Sequence, residues 1–184
     1  MKSLADSSVT ITAAAERLIA AWTALARRCN PLVLIVAAWG VLALPLVFFR
    51  GFNSDDGVAL TLAQTALTDG QWLTPHMFNL RFAERPVLLS WVIAAISLPF
   101  GGVNEFTARL PIILSLLGGC LLVFALLRRV ASAPAALFGV ALFLACPLVL
   151  RAYVAPTADL PLAVLLFLAF YVWWTAQAAA RLTA

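Results

Sequence analysis

Apolar residues in this chain come in long unbroken runs rather than in the spaced stripe of a helix that lies on a soluble core. Four runs approach the roughly 20 apolar residues needed to cross a bilayer as a helix: Pro31 to Phe49, Ala108 to Leu127, Pro134 to Leu150 and Leu160 to Trp174. A fifth, Val87 to Phe100, is closed by Pro99 and Gly101 and has the length of an interfacial or re-entrant helix. Between the first two spans the pattern turns polar. The stretch "NSDDGVALTLAQTALTDGQWLTPHMFNLRFAERP", Asn53 to Pro86, gathers four of the eight acidic residues, the only histidine and two arginines.

Within that stretch, Val58, Leu60, Leu62, Ala63, Ala66 and Leu67 alternate with Thr61, Gln64, Thr65 and Thr68. This predicts a short amphipathic helix from Asp55 to Asp69 on the membrane surface, with its acids at the positive N-terminal end and Gly70 as its stop. Trp72 follows as an interfacial anchor, and a second juxtamembrane helix is expected to start after Pro86, since proline suits a first helical position. The first 30 residues contain "ITAAAERLIAAWTALARR", which reads as an amphipathic helix leading into the first span. No internal repeat or low-complexity linker interrupts the chain, so residues 1–184 are expected to form one membrane domain with its loop at 50–107.

Composition agrees: 64% of the 184 residues are hydrophobic and 11% charged, with a mean hydropathy of +1.03. The net charge of +4 then reports topology rather than nucleic-acid binding. With four spans and Val87 to Phe100 lying on the surface, Lys2, Arg17, Arg27, Arg28, Arg128, Arg129 and Arg181 share one side with Asp6 and Glu16. Arg50, Arg81, Arg85, Arg109 and Arg151 share the other with Asp55, Asp56, Asp69, Glu84, Glu105 and Asp159. The positive-inside rule therefore places the N-terminus in the cytoplasm and the loop outside. If the fifth segment crossed, the Arg128–Arg129 pair would be moved outside and Asp159 separated from Asp55. Cys29, Cys120 and Cys146 are scattered without metal-ligand or disulfide spacing and read as packing residues. The first apolar run begins late and lacks a cleavage pattern, so it is expected to stay in the protein.

Candidate chemistry lies at the span ends. Asp55 and Asp56 sit where a helix N-terminus would favour anions; Ser54 or Asp55 as a simple cap is the plainer alternative. Asp159, in "RAYVAPTADLP", lies at the edge of the hydrocarbon layer, where an ionised acid is a functional candidate, with a capping role beside Thr157 as the alternative. The charge parity puts Asp159 on the same face as Asp55. Such a pair can bind a divalent cation, or one acid can act as general base while the other orients a substrate. Arg85, in "ERP", has the planar fork that suits a lipid phosphate; pairing with Glu84 as an interfacial anchor is the alternative. His76, in "TPHM", can carry a proton, though a lone histidine beside Trp72 is more often structural. No phosphate-cradling glycine loop, nucleophile elbow or Cys/His cluster is present, which favours a membrane-borne substrate over a soluble nucleotide donor.

Together "DD" after the first span, "DGQWLTPHMFNLRFAERP", "GVNEFTARLP" before the second span and "APTAD" before the fourth resemble the polyprenyl-phosphate-sugar-dependent glycosyltransferases of the GT-C fold. Within that class the chain is most similar to lipid A aminoarabinose transferases and protein O-mannosyltransferases. The resemblance runs from Asn53 to about Trp174. It implies an all-α membrane protein, the N-terminal part of a GT-C fold, with about four transmembrane helices and a first outer loop built of juxtamembrane helices. It implies Asp55 and Asp159 as catalytic acids, with a divalent metal between them as one option, and Arg85 at a position usually held by a phosphate-contacting lysine. Asp56 stands where many members carry Glu; Glu84 and His76 join the substrate-binding candidates. The implied partners are a polyprenyl-phosphate-linked sugar, a lipid or protein acceptor, membrane lipids and, as one option, a second chain supplying the remaining spans; nucleic acid is not among them. Since such enzymes are several times longer, the chain is expected to be a fragment of such an enzyme, a split-gene partner or a degenerate copy. The implied location is the bacterial inner membrane. The rival expectations are a catalytically silent subunit that binds polyprenyl phosphate or a partner membrane protein, and a small transporter, which the placement of every acid at or outside span ends disfavours.

Overall fold

The computed structural model describes residues 2–49, 51, 56–77, 80–82, 84–153 and 155–183, with side chains described within 14–178 of that range, residues 15 and 56 excepted. Eight α-helices are described: α1 (Lys2–Arg28), α2 (Pro31–Phe49), α3 (Asp56–Asp69), α4 (Leu88–Ser97), α5 (Glu105–Leu127), α6 (Ala133–Ala145), α7 (Pro147–Ala152) and α8 (Asp159–Thr183). Strands β1 (His76–Met77) and β2 (Leu80–Arg81) add one small antiparallel hairpin. The protein is an all-α membrane protein, and α2, α5 and the first 20 residues of α8 are long and apolar enough to cross a bilayer.

These three helices are apolar nearly all round, because a span faces lipid on one side and helices on the other. Val41 and Phe48 of α2 and Leu162, Leu166 and Val172 of α8 point outward, while Ile112, Ile113, Leu116 and Cys120 bury α5 at the centre. Helix α5 touches α2, α4, α6 and α8. The Trp39 indole of α2 donates to the Ile113 carbonyl of α5 at 2.7 Å. Gly119 lets α5, α6 and α8 approach: a Cβ there would lie 3.0 Å from Phe143 Cζ and 3.2 Å from Val164 Cγ2. Helix α1 lies against α6, and Trp22 donates to the Pro134 carbonyl at 3.0 Å.

One sequence expectation needs correction. The run from Pro134 to Leu150, read as one span, is broken into α6 and α7 at Cys146. Pro147 is the cause: a residue before proline is pushed out of the helical region, and Cys146 is accordingly extended at φ −61°, ψ 125°, while Pro147 opens α7. The second juxtamembrane helix does start after Pro86: α4 begins at Leu88 with Val87 as its N-cap.

The loop forms a layer across the bundle. Helix α3 stops at Asp69, and Gly70 takes φ 69°, the left-handed turn that glycine adopts without strain. Helix α4 packs on α3 and α5 and runs through a 3-10 turn, Leu98–Phe100, to Gly101 at φ 75°. The "VNEFT" that follows starts α5 with a capping box: Thr107 N–H donates to Asn104 Oδ1 at 2.9 Å, and Asn104 N–H to Thr107 Oγ1 at 3.0 Å. Ser97, at the end of α4, donates to the same Thr107 hydroxyl at 2.8 Å. Gln64 Oε1 of α3 accepts from Val103 N–H at 3.1 Å. In α5, Arg109 is 1% exposed and donates to the Val47 carbonyl near the end of α2 and to Glu105. The layer and the bundle are thereby tied where α2 ends and α5 begins.

Candidate functional site: a cleft where three helices begin

Arg85 and Asp159 line one cleft of about 340 Å³, with Val58 and Leu62 of α3, Ser90 of α4 and the buried Pro156 before α8. The reason they meet is local. The Pro86 ring stiffens the approach to α4, so Arg85 stands just outside its first turn; "APTAD" makes a tight turn, with Thr157 N–H bonded to the Ala155 carbonyl at 2.7 Å, and Asp159 follows as the first residue of α8. The stem of that turn is held by Tyr153, which is buried and donates to the Leu144 carbonyl at 2.6 Å.

The electrostatics follow from which ends are present. Val58 lies in the first turn of α3, Ser90 in that of α4 and Asp159 in that of α8, so three helix N-termini, each with N–H groups that have no partner within the helix and a partial positive charge, border the cleft. Such ends favour an anion, and the Arg85 guanidinium adds a full charge. Asp159 is itself the first residue of α8, so its side chain lies beside that helix end. An anionic ligand with an apolar part thus meets cationic ends, apolar walls and one carboxylate that can take a proton or orient a hydroxyl.

Of the other sequence candidates, Asp55 and the side chain of Asp56 lie outside the described residues; Asp56 contributes the first backbone position of α3. Glu84 is exposed and outside the cleft lining. His76 sits in β1, paired across the hairpin with Arg81, its Nδ1 2.7 Å from the Thr74 carbonyl, and Thr65 of α3 holds the same residue's carbonyl at 3.4 Å. Among the described residues no three His, Cys, Asp or Glu side chains gather in metal-binding range; Asp159 alone faces the cleft as a carboxylate donor. Cys29, Cys120 and Cys146 are free thiols.

Two features escaped the sequence reading. Ser90 is buried at the cleft wall; its only signal was a hydroxyl inside the apolar run "VLLSWVI". A second groove of about 390 Å³ meets the first at Arg85 and Pro86 and is lined by Leu73, Thr74, Arg81, Phe82 and Val87. It depends on the hairpin, which two-residue strands left invisible.

Fold and cleft define an all-α integral-membrane protein with an anion-favouring site between its loop layer and a span end. A family model, dolichyl-phosphate-mannose-protein mannosyltransferase, matches residues 84–184, more than half of the chain and both Arg85 and Asp159, and the chain belongs to this family of GT-C glycosyltransferases. It is 31% identical over 112 residues to undecaprenyl phosphate-alpha-4-amino-4-deoxy-L-arabinose arabinosyl transferase 2 of Pseudomonas fluorescens, covering 60% of this chain and 19% of that protein. It is also 31% identical over 107 residues to the arabinosyl transferase of Edwardsiella ictaluri, covering 54% and 19%, and 32% identical over 97 residues to that of Pseudomonas aeruginosa, covering 52% and 18%. The chain therefore spans about a fifth of the length of these relatives. No solved structure matches it.

Proposed function

We propose that this chain is a module of a glycosyltransferase that moves a sugar from a polyprenyl phosphate to a lipid or protein acceptor at the extracytoplasmic face of the inner membrane. The observation that carries the reading is the meeting of Arg85 and Asp159 in one cleft bordered by three helix N-termini. The acceptor oxygen attacks the anomeric carbon, the bond from that carbon to the phosphate oxygen breaks, and the lipid phosphate leaves with the electron pair. Arg85 and the helix ends offset its charge; a carboxylate, Asp159 or Asp55, takes the acceptor proton. In the sequence Asp55 and Asp56 stand where α3 begins. In an alternative role the same two acids, Asp55 and Asp159, would hold a divalent ion, which would supply Lewis-acid polarisation of the phosphate. The charge distribution supports a cytoplasmic N-terminus.

The test is sugar transfer in liposomes containing the chain and its polyprenyl-phosphate-sugar donor. Asp159→Asn is expected to lower turnover by about 100-fold or more while donor binding persists. Arg85→Ala is expected to weaken binding of the lipid phosphate by about tenfold. Turnover unchanged in Asp159→Asn overturns the assignment, and donor binding without transfer in the unaltered protein favours a silent lipid-phosphate-binding subunit.

A further inference from the structure

Helix α1 takes no part in the cleft, and its two faces differ in kind. Leu18, Trp22 and Leu25 recur at the spacing of one helical face, while Arg17, Arg27 and Arg28 fall on the opposite one. Trp22 and Ala26 turn the apolar face onto the start of α6, where the indole donates to the Pro134 carbonyl at 3.0 Å. One turn earlier the same side of the helix is open: Leu18 is 72% and Ile19 63% exposed. A helix that is apolar on one side and basic on the other lies in the boundary between lipid headgroups and acyl chains.

Two further features lie at this end of the bundle. Under Trp22 an apolar groove of about 430 Å³ runs between α2 and α6, walled by Leu34 and Leu137 and kept open by Ala38, Ala141 and Ala145, whose side chains are too short to fill it. At the end of α5, Arg128 and Arg129 are exposed, a few residues before the Pro134 carbonyl that holds Trp22. Arg128 donates to the Ala131 carbonyl at 2.8 Å. The Arg129 guanidinium lies 5.3 Å from the centre of the Tyr171 ring and 5.6 Å from that of Trp174, which fixes it at the depth where aromatic side chains meet headgroups. No acidic residue occurs in 17–54, 106–158 or 160–184, so among the described side chains Glu16 alone offsets the arginines of this end. We propose that it is a binding site for an anionic phospholipid of the surrounding leaflet: an acyl chain lies in the α2–α6 groove under Trp22, and the headgroup phosphate meets the arginines of α1 and of the α5–α6 turn, whose planar forks suit phosphate oxygens. A soluble anion uses the arginines and leaves the groove empty; a zwitterionic lipid fills the groove and leaves the arginines without a counter-charge. Trp174 lies 15 residues along α8 from Asp159, about 22 Å by the rise of a helix, so the site is separate from the cleft and does not depend on the glycosyltransferase reading.

The experiment uses the whole chain in a non-ionic detergent, with dioleoyl phosphatidylglycerol or dioleoyl phosphatidylcholine titrated in and the lipid-bound fraction read by native mass spectrometry. The unaltered protein is expected to bind its first phosphatidylglycerol about tenfold or more tightly than its first phosphatidylcholine. Arg27→Gln/Arg28→Gln and, separately, Arg128→Gln are expected to weaken phosphatidylglycerol by about fivefold for each arginine removed and to leave phosphatidylcholine unchanged. Ala141→Phe, which fills the groove and keeps every charge, is expected to weaken both lipids by about tenfold. Hydrogen exchange across residues 16–28 is expected to be about fivefold slower in nanodiscs of phosphatidylglycerol than in nanodiscs of phosphatidylcholine. If the double arginine variant does not fold, Arg128→Gln alone must show its fivefold loss. Equal affinity of the unaltered protein for the two lipids overturns the proposal, as does undiminished binding by a folded Ala141→Phe. Full competition by glycerophosphoglycerol, the headgroup without acyl chains, overturns it in favour of a soluble anion.

Discussion

Replacing Thr107 by valine removes one oxygen and keeps the shape, which makes it a sharp probe of how the loop layer is fastened to the bundle. The Thr107 hydroxyl accepts from Ser97 at 2.8 Å and from Asn104 N–H at 3.0 Å, and donates to the Asn104 carbonyl at 3.1 Å. Thr107 and Ser97 are both 0% exposed, so no water replaces the lost oxygen. Leaving the Ser97 hydroxyl without this acceptor costs about 1–3 kcal/mol, and losing half of the capping box costs about 0.5–1 kcal/mol more. Since neighbouring losses overlap, a total of about 2–3 kcal/mol is expected, or a fall in Tm of about 4–12 °C for a chain of this size. Reversible unfolding in mixed micelles measures it. The double variant Ser97→Ala/Thr107→Val is expected to be more stable than Thr107→Val alone by about 1 kcal/mol, because removing both partners leaves no orphaned hydroxyl. Two results refute the reasoning: a Tm for Thr107→Val equal to that of the unaltered protein, or a double variant whose loss is the simple sum of the single losses. Because α4 carries Ser90 to the cleft wall, loss of this fastening should also blur the site.

Two further predictions concern packing and metal. Gly119→Leu is expected to destabilise the bundle by about 1–3 kcal/mol, because even a Cβ meets Phe143 and Val164 at 3.0 and 3.2 Å; a thermal melt unchanged from the parent would show that α6 and α8 can move apart freely. Chelation with EDTA should abolish transfer and be reversed by added divalent ion if Asp55 and Asp159 share a metal, and should leave the rate untouched if they act as base and orienting group; either result assigns the role of the acids.

The sequence disclosed the elements whose signal is continuous and hid those that depend on a single atom or turn. The spans α2, α5 and α8 follow from uninterrupted apolar runs, and the end of α3 from Gly70. The break at Cys146 was written in Pro147, but a run that is apolar on both sides of the proline masks it. The meeting of Arg85 with Asp159 was half legible: charge parity put both on one face, while the shared cleft required the tight turn at "APTAD" and the direction of α4. Arg109 was misleading in the other sense. In a count of charges it is one more basic residue on the loop side, yet the fold buries it against the end of α2, because a backbone carbonyl cannot be seen in a sequence of side chains. Ser90 and the hairpin were silent for the same reason: their significance lies in which surfaces face them.

The link from Arg109 to Val47 joins positions 62 residues apart, and that separation sets an order of assembly. At a synthesis rate of about 5–20 residues per second, α2 enters the membrane roughly 3–12 s before its fastening partner has left the ribosome. During that interval the last carbonyls of α2 lack the cation that caps them. Asp159 is made later still, with α8. Biogenesis therefore builds the scaffold first, secures the loop second and completes the cleft last, so that a charged site never has to form before there is a bundle to hold it.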